Sequence, residues 1–171
     1  CRDWPAYYLG NTAFLPYTDT VREAILRFKY HGEPWRAEGF GVLAAYWPAP
    51  LVDAIVPVPL HKARLRERGY NQSLLLAREL SRAWQLPLHD DWLLRVVNTR
   101  HQVGLSKTER MQNVAQAFAV REKKQSLIRG QRVLLVDYVM TTGSTLLACA
   151  RALRRAGVKQ VQSVTLASAL R

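Results

Sequence analysis

The chain has 171 residues, 49% of them hydrophobic, and its 25 Lys+Arg outnumber 13 Asp+Glu to give a net charge of +12. This composition excludes general disorder, the length suits one domain with a full core, and the charge points to a polyanionic partner such as nucleic acid or a polyphosphate. The two cysteines, Cys1 and Cys149, are too few for a disulfide framework or a four-cysteine metal site, which fits a reducing cytoplasm.

Residues 1–17 contain Pro5, Gly10, Pro16 and several aromatics without a clear period, so a loop or short strand is expected. Thr20 and Glu23 form a capping-box pattern ahead of Val21, Ile25 and Phe28, which predicts an amphipathic helix ending near His31 and Gly32. Residues 35–47 give a second helix. Residues 40–60 are mostly apolar, but Pro48, Pro50, Pro57, Pro59 and Asp53 forbid a continuous membrane helix. A linker and a buried strand over 54–58 are expected there instead. No leader-like pattern precedes these elements, so a soluble cytoplasmic protein is expected. Residues 1–50 read as a semi-independent N-terminal segment and residues 51–171 as the core.

A cation-dense stretch follows, with His61, Lys62, Arg64, Arg66 and Arg68 leading into Gly69, Tyr70, Asn71 and Gln72. It is expected to be a loop that opens a helix reaching Trp84. A short strand over 91–97 comes next. Ser106 and Glu109 form a further capping box, predicting a helix through Val114. A strand at 118–120 and a basic turn (Arg121, Lys123, Lys124) precede the most informative segment.

Residues 133–136 are an apolar run that ends abruptly in Asp137, with Tyr138, Val139, Met140, Thr141, Thr142, Gly143, Ser144 and Thr145 after it. A helix is predicted over 145–156 with Gly157 as its stop, then a strand over 161–167. Strand, hydroxyl-rich loop and helix together can hold a phosphate. Backbone N–H groups and the helix N-terminus converge on the anion, and hydroxyls add donors. An acid at the strand end suits a ribose diol or a magnesium ion. Alternating strands and helices imply a parallel sheet, whose ligands lie beyond the carboxyl ends of the strands. The cation-dense stretch therefore belongs on the same rim, as a second anion site. There is neither a G-x-x-x-x-G-K-[ST] nor a G-x-G-x-x-G pattern.

Residues 133–145 resemble the phosphoribosyl-pyrophosphate (PRPP) motif of type I phosphoribosyltransferases, in which two adjacent acids precede the Thr-Thr-Gly-x-Thr loop. Here Tyr138 holds the second acidic position. Blocks at 26–32, 56–60, 68–72, 99–105, 110–113 and 117–118 stand in one order, and that series resembles the ComF/GntX family of phosphoribosyltransferase-like proteins. The resemblance implies an α/β fold with a central, mostly parallel sheet flanked by helices and a small N-terminal hood. It also implies a link to DNA uptake in natural competence.

By the same resemblance, residues 141–145 would grip the 5-phosphate of PRPP or a related ribose phosphate, and Asp137 a ribose hydroxyl with an indirect magnesium. His61, Lys62, Arg68, Gly69, Asn71 and Gln72 would face the pyrophosphate. Residues 102–110 would be a flap bringing Lys107 or Arg110 to the transition state. Zinc would enter only with a cysteine module of which Cys1 is the last ligand. Losing one charge-assisted hydrogen bond at Tyr138 costs about 1.5–3 kcal/mol, or about ten- to a hundredfold in affinity. Binding is therefore favoured over turnover to an unidentified acceptor. The rival expectation is a noncatalytic single-stranded DNA-binding protein, with Arg151, Arg154, Arg155 and the 121–124 turn touching phosphates.

Overall fold

The computed structural model describes residues 4–30, 33–97 and 116–169. Its strands are β1 (Tyr8–Pro16), β2 (Ala54–Pro57), β3 (Leu93–Arg95), β4 (Phe118–Val120), β5 (Arg132–Met140) and β6 (Gln160–Ser168). A four-stranded sheet runs β1-β6-β5-β2 and is parallel throughout, while β3 and β4 form a separate antiparallel pair. The helices are α1 (Asp19–Tyr30), α2 (Arg36–Ala45), α3 (Lys62–Arg68), α4 (Gln72–Trp84), α5 (Gln125–Ile128) and α6 (Ser144–Arg155). No helix among the described residues is long and apolar enough to cross a membrane.

The apolar run in β5 is continuous because both faces of the sheet are covered. Leu134 and Val136 join Ile55, Val164 and Leu166 beneath Ile25 of α1 and Leu76, Ala77 and Leu80 of α4. Val133 and Leu135 join Val56 and Val161 on the other face, against Leu146, Cys149 and Leu153 of α6 and Leu93 and Phe118 of the small sheet. Asp53 ties the end of the sheet remote from the loops. Its carboxylate takes the Arg132 guanidinium through both oxygens (2.6 and 3.1 Å) and the Arg132 backbone N–H at 2.8 Å. That arrangement holds the Asp53 carboxyl down at about 2.

Four expectations change. Residues 8–16 form a full strand in the central sheet, so the N-terminal segment is not separate from the core, and α2 packs on α4. The strand lacked a sequence period because it lies at the sheet edge and changes register at Gly10, whose φ is +112°. The first helix is capped two positions earlier than expected, since Thr18 Oγ1 accepts from the Val21 N–H. Glu23 instead pairs with Arg27 at 2.8 Å. The cation-dense stretch is helical, forming α3, and β5 runs three residues past Asp137 to Met140. The helix expected from Ser106 to Val114 lies outside the described residues.

Leu135 is fully buried in the middle of the sheet. Leu135→Ala is expected to lower unfolding free energy by about 2–5 kcal/mol in a urea titration. Asp53 should contribute stability fully above pH 3.8, its ordinary value, and lose that contribution as pH falls through about 2. The acid-unfolding midpoint of Asp53→Asn should therefore lie at higher pH than that of the parent chain.

Candidate functional site

The end of β5, the turn after it and the first turn of α6 enclose a small hollow lined by Asp137, Val139, Met140 and residues 141–146. Gly143 takes the left-handed conformation (φ +77°), which turns the chain directly into α6. A side chain there would strain the turn. Thr141 and Thr142 are exposed, and Ser144 and Thr145 are half-buried. The hydroxyls of Thr142 and Ser144 lie 2.9 Å apart. The first intrahelical bond of α6 runs from the Leu147 N–H to the Gly143 carbonyl, and the Ser144 N–H donates to Thr142 Oγ1 at 3.4 Å. Backbone N–H groups at the start of a helix, the helix dipole and hydroxyls in one hollow suit a phosphate-sized anion.

Asp137 is 7% exposed and therefore needs compensation for its charge. Its Oδ1 accepts from the Ser73 hydroxyl at 2.9 Å and from the Tyr138 backbone N–H at 2.8 Å. Ser73 stands at the start of α4, positioned by Asn71. The Asn71 Oδ1 accepts from the Ser73 N–H (3.0 Å) and its amide donates to the Val58 carbonyl (3.1 Å). The cation-dense region and the hydroxyl loop therefore meet on one rim through the contact of Ser73 with Asp137.

Other residues proposed from sequence divide by role. His61 caps α3, its Nδ1 accepting from the Ala63 N–H at 3.3 Å, and Gly69 closes that helix with φ +81°. Lys62 is exposed, while Arg68 is half-buried. Gln72 is fully buried, and neither atom of its amide has a hydrogen-bond partner. Tyr138 packs its ring against the apolar cluster on the α4 face. Lys107 and Arg110, with the rest of the expected flap and Cys1, lie outside the described residues.

Sequence reasoning missed Arg95. β3 pairs Arg95 with Phe118, and the guanidinium carbon sits 5.4 Å above that ring. Phe118 belongs to one apolar cluster with Met140 and Leu146, which also line the hollow. Burial foremost lowers the Arg95 pKa, and the Asp137 charge offsets that in part. Cys149 is fully buried, and burial foremost, then the Asp137 charge, pushes its thiol well up. It is a neutral packing group and not a nucleophile. Behind Asp137, the Tyr8 hydroxyl lies 2.5 Å from the Ser163 hydroxyl, and burial drives that phenol up to about 12. Arg95 and Phe118 are far apart in sequence, and only the pairing of β3 with β4 brings them together.

Magnesium is usually held by one or two carboxylates together with ligand phosphates. Asp137 is the one acid among the residues lining the hollow, and its Oδ1 already accepts two protein donors. The adjacent side chain is the phenol of Tyr138. A magnesium ion there would be held by that single carboxylate together with ligand phosphates. Among the described residues no group of His, Cys, Asp and Glu could hold a metal ion such as zinc.

A larger cavity, about 550 Å³, opens over β1 and β6 beside Phe14, Trp47 and Trp84. None of the residues lining it is titratable, so it offers shape and aromatic surface without acid–base chemistry.

Residues 71–171 match the family model described as phosphoribosyl transferase domain. Competence protein F of Haemophilus influenzae is 44% identical over 119 residues, covering 70% of this chain and 52% of that protein. Competence protein ComFC of Bacillus subtilis is 32% identical over 162 residues, covering 91% and 63% respectively. DNA utilization protein YhgH of Escherichia coli is 40% identical over 116 residues, covering 66% and 48%. The chain thus spans between about half and just under two thirds of these curated relatives. An allosteric regulatory enzyme of purine biosynthesis superposes with TM-score 0.52 at 21% identity, over 76% of this chain and 25% of the other. Glutamine PRPP amidotransferase from B. subtilis superposes with TM-score 0.50 at 22% identity, over 76% and 26%. These two structural likenesses establish the fold.

Ser73→Ala should remove one of the two Oδ1 donors and destabilise the chain by about 1–3 kcal/mol. Ser73→Thr, which keeps a hydroxyl, should recover most of that loss in the same denaturant titration. Gly143→Ala should cost about 1–2 kcal/mol through left-handed strain.

Proposed function

Given that this chain belongs to the ComF-type branch of the phosphoribosyltransferase family, we propose that it binds PRPP or a related 5-phosphorylated ribose. The 5-phosphate lies on the N–H groups and hydroxyls of residues 141–145, and Asp137 accepts a hydrogen bond from a ribose hydroxyl. The observation that carries this is the phosphate-sized hollow built by a left-handed Gly143 at the start of α6, directly beside a buried, pre-oriented carboxylate. Ser73 fixes that carboxylate before ligand arrives, which reduces the ordering cost of binding.

Transfer from PRPP would form a bond between C1 of the ribose and an acceptor nucleophile, with pyrophosphate leaving with the electrons of the C1–O bond. Donors aimed at the departing oxygens would stabilise the charge that develops there. Lys107 and Arg110 are the residues assigned to that task by family pattern, and Asp137 would keep the ribose in its reactive pose. The names of the competence and DNA utilization relatives support a place for this chemistry in the use of incoming DNA.

A second reading, direct contact with single-stranded DNA, draws on the net charge of +12 and on the clustering of Phe14, Trp47 and Trp84 beside the larger cavity. The basic patches first considered for it are partly engaged within the fold. Arg154 donates to the Val158 carbonyl at 3.0 Å, Arg121 to the Asp91 carbonyl at 3.1 Å, and Lys124 pairs with Asp91 at 2.8 Å.

Calorimetric titration with PRPP is expected to show saturable binding, weakened about ten- to a hundredfold by Asp137→Asn. Thr142→Ala should weaken it by less. No saturable binding at millimolar ligand would overturn the sugar-phosphate proposal. For the second reading, affinity for a single-stranded oligonucleotide should fall steeply with salt, and a flat response would reject it.

A further inference from the structure

We propose that the cavity of about 550 Å³ over β1 and β6 is a second ligand site, separate from the hydroxyl loop, and that it receives an uncharged nucleobase. The proposal does not depend on the sugar-phosphate reading. A hollow of this size falls among small-molecule pockets, which combine mostly apolar walls with a few placed polar groups.

The walls are three aromatic side chains that are fixed without any ligand. The Trp84 indole N–H is shared between the Ala44 and Trp47 carbonyls, at 3.1 and 3.2 Å, which holds the ring against the chain leaving α2. Phe14 stands edge-on to Trp47, with ring centroids 5.4 Å apart at 88°, and lies 6.3 Å from Trp84. Trp47 stays 41% exposed despite these contacts, so part of its ring is left for a flat ligand to cover. Leu134 and Val164 of the sheet give the cavity an apolar floor.

The polar lining narrows the ligand further. Asn11 and Ser163 are committed to a network within the sheet. The Ser163 hydroxyl donates to Asn11 Oδ1 at 2.9 Å, and the Asn11 amide donates to the Thr165 hydroxyl at 2.9 Å. Gln162 is different. It pairs with Leu134 in the parallel ladder and shares the face that floors the cavity. Its half-buried side-chain amide makes no hydrogen bond to any described residue. An amide presents a donor and an acceptor side by side, which matches the adjacent amino group and ring nitrogen of an adenine edge. The chain has a net charge of +12, yet no charged side chain lines this cavity, so it attracts a ring and not a phosphate.

Its position separates it from transfer chemistry. Leu134 and Gln162 lie three rungs before Asp137 and Thr165 on the same two strands. That is about 10 Å toward the end of the sheet remote from the loops. An acceptor must touch C1 of a ribose held at Asp137, so the occupant of this cavity is not the acceptor. The base comes either from a free nucleoside or from a single strand, and the recognition is the same for both.

The test is calorimetry of the full chain with adenosine, with and without millimolar ribose 5-phosphate. Adenosine should bind saturably with a dissociation constant below about 1 mM, changed less than about twofold by ribose 5-phosphate. Trp47→Ala should weaken binding by about five- to a hundredfold, while Trp47→Phe keeps most of it. Gln162→Leu, which keeps the bulk and loses the amide, should weaken it by about tenfold. Competition then identifies the source of the base. Displacement of adenosine by an oligodeoxyadenylate assigns the pocket to a base within a strand, and its absence assigns the pocket to free nucleosides.

Lack of saturable adenosine binding at millimolar ligand overturns the inference. So does unchanged binding in Trp47→Ala and Gln162→Leu chains that remain folded by circular dichroism. Displacement of adenosine by ribose 5-phosphate, or by an abasic strand as strongly as by oligodeoxyadenylate, also overturns it, because a phosphate site would then account for the binding. Titration of the same chain with PRPP decides the sugar-phosphate reading separately, so either can fail alone.

Discussion

A carboxylate buried at the end of a central parallel strand is the constraint around which this rim is built. Asp137 is almost wholly removed from water, and an uncompensated charge there would cost several kcal/mol. The hydroxyl of Ser73 and the N–H of Tyr138 meet that requirement at one oxygen. To deliver Ser73, α4 must begin at a fixed height above β2, which Asn71 ensures by capping the helix and clasping the Val58 carbonyl. Gly69 stops α3 just before this point, and Tyr70 ties the turn to α1 through the Phe28 carbonyl. The turn between α3 and α4 is therefore an element of Asp137 support as much as a surface for a ligand.

The charge balance on the rim follows from the same constraint. A second acid beside Asp137 would add repulsion at a position where burial already raises its cost. The phenol of Tyr138 removes that repulsion and contributes packing to the α4 face.

The central sheet was legible because continuous apolar runs such as residues 133–136 have few alternatives to a doubly covered strand. The cradle was legible too, since Gly143 and the neighbouring hydroxyls are local signals. The capping of α1 was misplaced by two residues because Thr18 and Thr20 are equivalent in composition, and only the direction of the chain leaving β1 decides between them. The edge strand β1 was underestimated because its partner, β6, lies about 150 residues away, and no local period records that pairing. Arg95 and Ser73 were invisible for the same reason. Each acquires a role from a contact across the fold, to Phe118 and to Asp137, and not from its sequence neighbours.

The central claim is that the loop between β5 and α6 holds a sugar phosphate while Asp137 faces the ribose. The most direct measurement is a crystal structure of the chain soaked with ribose 5-phosphate. The account predicts the phosphate on the backbone N–H groups of residues 141–145, with a ribose hydroxyl within hydrogen-bond distance of the Asp137 carboxylate. Phosphate density on the α3 cations, with the cradle holding only solvent, would contradict it.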